Sequence, residues 1–121
     1  MTKLAASTGA LLGTYSVGSN PTGIAFDGAN MWVALYGSGQ IVKLSSAGTV
    51  LGTYSVGLQP EGVVFDGSNI WVANLSSNTV TKLLASSGAV LGTYNTGNFP
   101  KGLAFDGANI WALNGNSVSK L

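Results

Sequence analysis

The sequence contains no cysteine and no histidine, and it has only five basic residues against four acidic ones. Without cysteine, disulfides and thiol chemistry are excluded. Without histidine, the chain lacks the commonest metal ligand and the commonest general base. The small, balanced charge leaves no basic stripe for nucleic-acid phosphates and no basic patch for an anionic membrane. We therefore expect no cofactor, no nucleic-acid partner and no membrane partner.

Long apolar runs are also missing, since none approaches the roughly 18 residues that a transmembrane helix needs. The start of the chain, 1–6, faintly resembles a secretory leader, with one lysine followed by small apolar residues. However, Thr2-Lys3-Leu4 aligns with Thr81-Lys82-Leu83, so this stretch belongs to the pattern described next. We recognise no signal peptide, expect a soluble chain and assign no compartment.

A sequence repeat of about 40 residues occurs three times in the chain. Gly-Thr-Tyr begins at Gly13, Gly52 and Gly92, and a proline follows at Pro21, Pro60 and Pro100. Phe-Asp-Gly then begins at Phe26, Phe65 and Phe105, before a tryptophan at Trp32, Trp71 and Trp111. Such a period is typical of units that bury their faces only by stacking on copies of themselves. We interpret 1–121 as one segment with repeats at approximately 2–41, 42–80 and 81–121.

Each repeat is predicted to form four short β-strands. In the first full repeat, the apolar or β-branched segments are 23–26, 31–35, 41–44 and 50–56. Between the first two strands lies Asp27-Gly28-Ala29-Asn30, a turn in which Gly and Asn tolerate a positive φ. No apolar period of 3.6 residues persists over a helix length, so we expect almost no helix.

The motif Pro-x-Gly-x-x-Phe-Asp-Gly-x-Asn-x-Trp carries a family resemblance. It occurs at 21–32, 60–71 and 100–111, and the repeats that contain it cover nearly the whole chain. It resembles the NHL, YVTN and streptogramin-lyase group of β-propellers. The resemblance implies an all-β fold with three blades of four antiparallel strands per chain. A β-solenoid or a β-sandwich is the alternative, although a solenoid coil is usually shorter and a sandwich has no reason to repeat so faithfully.

The repeated aromatic and charged residues are interpreted as structural. We expect inter-blade packing from one set of large side chains: Trp32, Trp71, Trp111, Phe26, Phe65 and Phe105. A ligand cage of the tryptophans is the alternative. Asp27, Asp66 and Asp106 each follow a strand within a turn, so we expect them to accept turn amides and to bind no metal, because one Asp per blade does not converge on an ion. The lysines that recur at one repeat position are expected to be solvated and to protect a strand edge.

Five residues depart from the repeat pattern near the proline and in the loop between the second and third strands. They are Thr22, Glu61, Lys101, Tyr36 and Phe99. In a propeller these loops lie on one face around the mouth of the central channel. A charged pair with two aromatics could therefore bind a small ligand, a glycan or a peptide there. Neutral drift of unconstrained loops is the alternative.

The resemblance includes enzymes, but the sequence argues against catalysis. Streptogramin-lyase-type propellers work with a metal-assisted acid–base site that includes histidine, and this chain has none. Glu61 is the only acidic residue outside the repeated turn, and one carboxylate is a weak basis for acid–base chemistry. We predict a structural, self-assembling scaffold that is not an enzyme, with a binding module as the alternative.

The repeat boundaries predict an incomplete arc. The terminal unit, 102–121, lacks a fourth strand, whereas 10–16 is a fourth strand without a blade of its own. We expect 10–16 of one subunit to complete 102–121 of its neighbour in a head-to-tail ring. A homodimer would give six blades, and a homotrimer nine. The same boundaries fit a natural excerpt of a longer propeller or an engineered fragment, and both origins stay open.

Overall fold

A computed structural model describes residues 1–121 as thirteen β-strands and no helix. None of its segments forms a helix that could span a membrane. The strands are β1 Thr2–Leu4, β2 Leu11–Thr14, β3 Pro21–Phe26, β4 Met31–Leu35, β5 Gln40–Leu44, β6 Val50–Ser55, β7 Pro60–Phe65, β8 Asn69–Asn74, β9 Thr79–Leu84, β10 Val90–Asn95, β11 Gly102–Phe105, β12 Ile110–Leu113 and β13 Val118–Lys120.

The strands form four sheets, and within each sheet consecutive strands pair antiparallel. The first sheet is β1–β2, the second is β3–β4–β5–β6, the third is β7–β8–β9–β10, and the fourth is β11–β12–β13. The second and third sheets confirm the prediction of four-stranded antiparallel units. The predicted strands 23–26, 31–35, 41–44 and 50–56 correspond to β3, β4, β5 and β6 with end differences of at most two residues.

The two ends of the chain form partial sheets, and one expectation about them is wrong. The sequence predicts that residues 10–16 have no partner in their own chain. Instead β2 pairs with β1, with Thr2 opposite Thr14, Lys3 opposite Gly13 and Leu4 opposite Leu11. The physical reason is that Thr2–Leu4 is itself a third strand, and it reproduces the register of Thr81 opposite Thr93 in the third sheet.

The sheets stack face to face because side chains alternate between the two faces of a strand. Trp32 and Ile41, from the second sheet, are completely buried against the third sheet. On the other face of the second sheet, Val33, Leu35, Val42 and Leu44 form a second cluster, against which Met1 and Val17, from the first sheet's side, pack. The second sheet therefore packs on both faces, as the 40-residue period predicts.

The glycine of the Pro-x-Gly motif marks the closest approach between sheets. A Cβ added to Gly23 would overlap the carbonyl oxygen of Glu61, and one added to Gly62 would overlap that of Lys101. The inner strands β3, β7 and β11 thus pack side by side, backbone against backbone. Only glycine permits that approach, which explains its place in the motif.

Candidate functional site

In the second, third and fourth sheets, an aspartate is hydrogen-bonded to a tryptophan whose ring lies under a lysine. In the second sheet, Asp27 Oδ1 accepts the backbone amides of Ala29 at 2.9 Å and Asn30 at 2.7 Å. Its other oxygen accepts the indole Nε1–H of Trp32 at 2.8 Å. The amide bonds are those expected of a turn aspartate, and the indole bond is one that sequence reasoning missed. The carboxylate therefore fixes both the turn and the orientation of the tryptophan.

The third and fourth sheets repeat this geometry. Asp66 accepts the indole of Trp71 at 2.8 Å, and Asp106 accepts that of Trp111 at 2.7 Å. Burial alone would raise the pKa of Asp66, but the bonds from the Trp71 indole and the turn amides outweigh it and lower the pKa. At Asp106 the Trp111 indole is the main cause of a lowered pKa. These carboxylates are held as anions and are already bonded, so none is poised as a general acid.

The expectation that the repeated lysines are solvated is wrong for Lys43, whereas Lys3 and Lys120 are exposed as expected. The ammonium of Lys43 lies 5.2 Å from the ring centroid of Trp32, and Lys43 is only 9% exposed. It donates to the carbonyl of Ala85 in the third sheet at 2.8 Å. Lys3 makes the equivalent bond to Ser46 at 3.0 Å. These two lysines thus bridge one sheet to the next, and at Lys43 the ring and the carbonyl replace water around the charge.

A usable signal for this role was present in the sequence. Lysine and tryptophan recur together in every full repeat, and Trp32 is opposite Lys43 across β4 and β5. Directly opposed side chains on one face of an antiparallel pair interact. The expectation of solvation failed at Lys43 because it considered the charge alone and ignored the long apolar stem that lets a lysine cover a ring.

The burial of the tryptophans falls along the chain. Trp32 is 0% exposed, Trp71 is half-buried, and Trp111 is 38% exposed. The structure thus places Trp32 between two sheets, as expected for a packing residue, whereas it leaves one face of Trp111 open. The phenylalanines differ as well: Phe65 packs beside the Trp32 cluster, but Phe26 is 56% exposed and Phe105 is 38% exposed.

The exposed aromatic residues define two open faces at the ends of the arc. We call one the Trp111 face; it consists of Trp111, Leu113 and Val118 on the fourth sheet, each at least 38% exposed. We call the other the Phe26 face; it consists of Ile24, Phe26 and Met31 on the second sheet. The Phe26 face lines an open apolar pocket of about 240 Å³, together with Met1, Lys3 and Tyr15 of the first sheet and its neighbouring segments.

Three of the five predicted ligand-binding residues lie together on the inner strands. Thr22, Glu61 and Lys101 line one shallow, open pocket with the glycine that follows each of them. The Thr22 hydroxyl donates to the carbonyl of Pro60 at 2.8 Å, which leaves its oxygen available as an acceptor. Oppositely charged side chains therefore lie on neighbouring inner strands, beside one shallow pocket.

Tyr36 and Phe99 do not line that pocket. The loops do meet in the expected way, since the amide of Tyr36 donates to the carbonyl of Asn20 at 3.0 Å. Phe99 is anchored elsewhere, with its amide donating to Asn78 Oδ1 at 2.9 Å. The structure therefore brings together the charged part of the predicted set and leaves the two aromatic residues outside it.

The residue before each motif proline has an unusual backbone conformation. Asn20, Gln59 and Phe99 have φ angles of 50°, 53° and 57°. This left-handed region suits asparagine but is rarely populated by a bulky aromatic residue. Phe99 also has a 53% exposed side chain, so little packing compensates for its backbone. Phe99 is the most strained of the three.

No group of three or more acidic residues, histidines or cysteines converges on one point in residues 1–121. Each aspartate lies in its own turn, bonded to its own tryptophan. The arrangement thus offers two chemistries, apolar association through the open faces and polar recognition at the pocket on the inner strands.

No protein-family model matches the sequence, and no curated protein matches it either. Solved structures do. A functionally unknown protein from Desulfotomaculum acetoxidans is 18% identical and has a TM-score of 0.86, over 98% of this chain and 43% of its own. Virginiamycin B lyase from Staphylococcus aureus is 18% identical with a TM-score of 0.72, over 85% and 38%. The WD40 repeats of RRP9 are 17% identical with a TM-score of 0.71, over 80% and 33%.

The chain has a β-propeller fold. The neighbours are consistent with the resemblance to the streptogramin-lyase-like group that the repeated motif indicated. At such low identity the likeness concerns the fold alone. The chain spans between 33% and 43% of the length of these three propellers, so it corresponds to an arc of each of them.

Proposed function

We propose that this chain is a structural, self-assembling propeller scaffold without catalytic activity, whose arc closes head to tail on a second copy. The observation that carries the proposal is that the same packing surface is buried inside the arc and exposed at its end. Trp32 is buried against the third sheet, whereas its repeat equivalent Trp111 presents the same indole, held by the same aspartate bond, to solvent.

The partner surface for the Trp111 face is present at the other end of the same chain. In the internal interface, the residues that pack around Trp32 include Val63, Phe65 and Ile70 of the third sheet. Their repeat equivalents on the second sheet are Ile24, Phe26 and Met31, which form the Phe26 face. The Trp111 face and the Phe26 face are therefore repeat equivalents of two surfaces that already pack together within the chain. Burial of their apolar side chains would drive the contact.

Gly102 supports the same contact. At Gly23 and Gly62 the neighbouring inner strand leaves no space for a side chain. A Cβ on Gly102 would meet nothing closer than Leu113 Cβ at 3.7 Å. The motif thus leaves room for an inner strand that the single chain does not provide. In the proposed assembly this strand is β3 of the second copy, with the carbonyl of Thr22 in the place that Glu61 and Lys101 occupy within the chain.

The partial sheets are complementary as well. The fourth sheet lacks an outer strand, and the first sheet lacks the two inner ones. Joining them makes one composite sheet per contact, so two chains give six sheets and three chains give nine. A head-to-tail contact of this kind is heterologous and closes when the rotation per chain fits the ring. The proposal concerns the chain of 121 residues; in a longer polypeptide, further sheets would take the same places.

A matched pair of variants tests the assembly. Leu113→Glu puts a charge on the Trp111 face at a residue that is 56% exposed, whereas Leu51→Glu puts the same charge on an outer edge strand at a residue that is 51% exposed. We expect light scattering to find a dimer for the parent chain and for Leu51→Glu, and a folded monomer for Leu113→Glu. Equal masses for all three proteins would contradict the proposal.

A second candidate function is ligand binding at the channel wall, favoured by the shared pocket of Thr22, Glu61 and Lys101. A carboxylate and an ammonium on adjacent strands can recognise a zwitterionic or hydroxyl-rich ligand such as a peptide terminus or a glycan. In a closed dimer the two sets would face one channel, which would double the number of recognition groups.

Thermal unfolding with and without a glycan and peptide panel tests this second candidate. A ligand that binds only the folded protein raises the midpoint with concentration. We expect Glu61→Gln and Lys101→Met each to abolish such a rise, and Thr49→Ala, on an exposed loop away from the pocket, to preserve it. A response that survives both pocket variants would place binding elsewhere.

A further inference from the structure

The proposed ring contains one strand too many at each contact. Thr2-Lys3-Leu4 of β1 and Ser119-Lys120-Leu121 at β13 both align with Thr81-Lys82-Leu83, the third strand of the third sheet. A composite sheet made of β11 and β12 from one copy and β2 from the next has room for only one third strand. We infer that β1 of the incoming copy takes this place and displaces β13. The inference rests on the proposed assembly and specifies its contact surface.

The strand β1 is tied firmly to its own chain. The terminal amino group of Met1 donates to the carbonyl of Tyr15 at 2.9 Å, and the Tyr15 amide donates to the carbonyl of Met1 at 2.8 Å. Met1 also packs against the apolar cluster of the second sheet, and Lys3 bonds to Ser46. Removing β1 would break all of these contacts.

The strand β13 has no lysine bond to a neighbouring sheet. Like β1, it pairs with one strand only and has a free edge, and its Val118 is 57% exposed, as is Leu4 of β1. Lys120 lies over the ring of Trp111 at 5.3 Å but donates to no carbonyl of another sheet. Lys3 shows the opposite: it donates to the carbonyl of Ser46 but lies over no tryptophan ring. Placing Lys3 over Trp111 of the other copy would give it both, as Lys43 has in the closed interface.

A buried polar atom shows that β13 fits imperfectly. In the third sheet, Asn74 Oδ1 accepts the amide of Gly57 at 3.0 Å, and Asn74 Nδ2 donates to Thr81 at 2.9 Å. In the fourth sheet, the equivalent amide of Gly97 donates to Ser119 Oγ instead, at 3.2 Å. Asn114 Oδ1 is thereby left buried without a partner, which is costly.

Replacement of Ser119 by the threonine of β1 removes this defect. Thr2 is the repeat equivalent of Thr81, so its hydroxyl can accept Asn114 Nδ2 as Thr81 accepts Asn74. With Ser119 gone, the Gly97 amide is free to donate to Asn114 Oδ1. The exchange thus restores the hydrogen bonding of a complete sheet.

The segment that follows β1 supplies what the third sheet lacks. Ala85 covers Trp32 and accepts the bond from Lys43, and Gly88 makes room for the ring of Tyr54. The fourth sheet provides no equivalent cover, bond or space for the corresponding residues of the third sheet. Trp71 is half-buried, Tyr94 is 41% exposed, and Lys82 donates to no carbonyl. Ala6 and Gly9, which follow β1, align with Ala85 and Gly88. Ala6 is exposed, and a Cβ on Gly9 would meet nothing within 4 Å.

Engineered cysteines in this cysteine-free chain distinguish the two arrangements. If β1 replaces β13, residue 2 lies opposite residue 112 of the other copy, as Ser119 lies opposite Ala112 in the single chain. If β13 stays and pairs with β2, residue 119 lies opposite residue 14. We compare the double variant Thr2→Cys, Ala112→Cys with the double variant Thr14→Cys, Ser119→Cys, both oxidised and then run on denaturing gels.

We expect the first double variant to form a covalent dimer and the second to remain a monomer on the gel. A covalent dimer only from the second variant, or from neither while light scattering still finds an oligomer, would overturn the inference and leave the proposed assembly standing. A folded monomer for the parent chain and both variants would overturn the assembly and the inference with it.

Truncation provides a second measurement that needs no cysteine. Removal of 118–121 should leave a dimer, because β13 is displaced in the assembled form. Removal of 1–4 should shift the protein to the monomer mass, because Thr2 and Lys3 are then missing from the composite sheet. Circular dichroism at the same concentration checks that each shortened chain is folded. The reverse pattern, with a dimer only when 118–121 is present, would show that β13 is the strand in use.

Discussion

The second and fourth sheets have nearly the same sequence motif, yet one is closed and the other is open. Asp27 and Asp106 orient Trp32 and Trp111 in the same way, but Trp32 is 0% exposed and Trp111 is 38% exposed. The difference lies in what stands beyond each sheet. A repeat of this kind determines the arrangement of side chains on its own face, but the next unit has to bury that face. Most of the stability of the repeat originates from this burial.

Replacement of the two tryptophans by alanine gives the largest expected contrast. Trp32→Ala removes a fully buried ring and should lower the free energy of unfolding by about 3–5 kcal/mol. Trp111→Ala should cost far less in the monomer, at concentrations low enough to dissociate the proposed dimer, because its ring is partly in water. Urea unfolding of both variants measures the contrast. Equal losses in dilute protein would mean that the fourth sheet is already closed by other contacts.

The motif glycines give the next contrast. Gly23→Ala forces a methyl group into the carbonyl of Glu61, and overpacking of this kind costs about 1–3 kcal/mol or more. The methyl group of Gly102→Ala makes only ordinary van der Waals contact with Leu113, so the monomer should unfold at nearly the parent urea concentration. In the proposed assembly, however, Gly102→Ala should block association. If the Gly102→Ala protein is neither destabilised nor dissociated, the role given to the open inner edge is contradicted.

The residue before the proline offers a smaller, stabilising test. Asn20 suits its left-handed backbone, whereas Phe99 does not. Phe99→Asn should therefore raise the free energy of unfolding by about 1 kcal/mol, since it relieves a sparsely populated conformation at an exposed site. Gln59→Asn, at an equivalent residue without an aromatic ring, is the control and should gain less. A loss of stability in Phe99→Asn would show that the phenyl ring has packing that outweighs its strain.

The pH dependence gives the smallest contrast. Burial raises the pKa of Asp27, but the bonds from Trp32 and from the turn amides lower it below the usual 3.8 overall. A folded-state pKa below the unfolded one means that the unfolded chain binds the proton first. This stabilisation is complete above the usual value and is lost as the pH falls through the folded one.

Urea unfolding between about pH 7 and pH 3 measures that loss. The parent chain should lose stability below about pH 4. Asp27→Asn keeps an acceptor for the indole but cannot titrate, so its decline should be shallower than that of the parent. Identical slopes for the two proteins would mean that other carboxylates govern acid unfolding.

The sequence was sufficient to predict the strands and their stacking because those depend on local alternation and on the 40-residue period. β3 to β6 lie where the apolar and β-branched segments predicted them. It was not sufficient for the burial of Lys43, because the partner of that lysine includes the carbonyl of Ala85, a backbone atom about one repeat away. It also missed the pairing of β2 with β1, since the short strand Thr2–Leu4 was recognised only as a repeat fragment.

The candidate binding residues were predictable only in part. Thr22, Glu61 and Lys101 occupy one repeat position, so the period alone places them on neighbouring inner strands. Tyr36 and Phe99 lie on loops outside that pocket, and the period does not fix the direction of a loop side chain. Residues in register are thus predicted well from a repeat, whereas side chains on its loops are not.

The number of chains in the folded particle tests the central claim most directly. Sedimentation equilibrium on the parent protein should give a mass of about twice that of the 12.2 kDa chain, with a folded β-rich spectrum and no higher polymer. Three times the chain mass would keep head-to-tail closure and change the ring to nine sheets. A stably folded particle with the mass of one chain, at every concentration up to the millimolar range, would contradict the account.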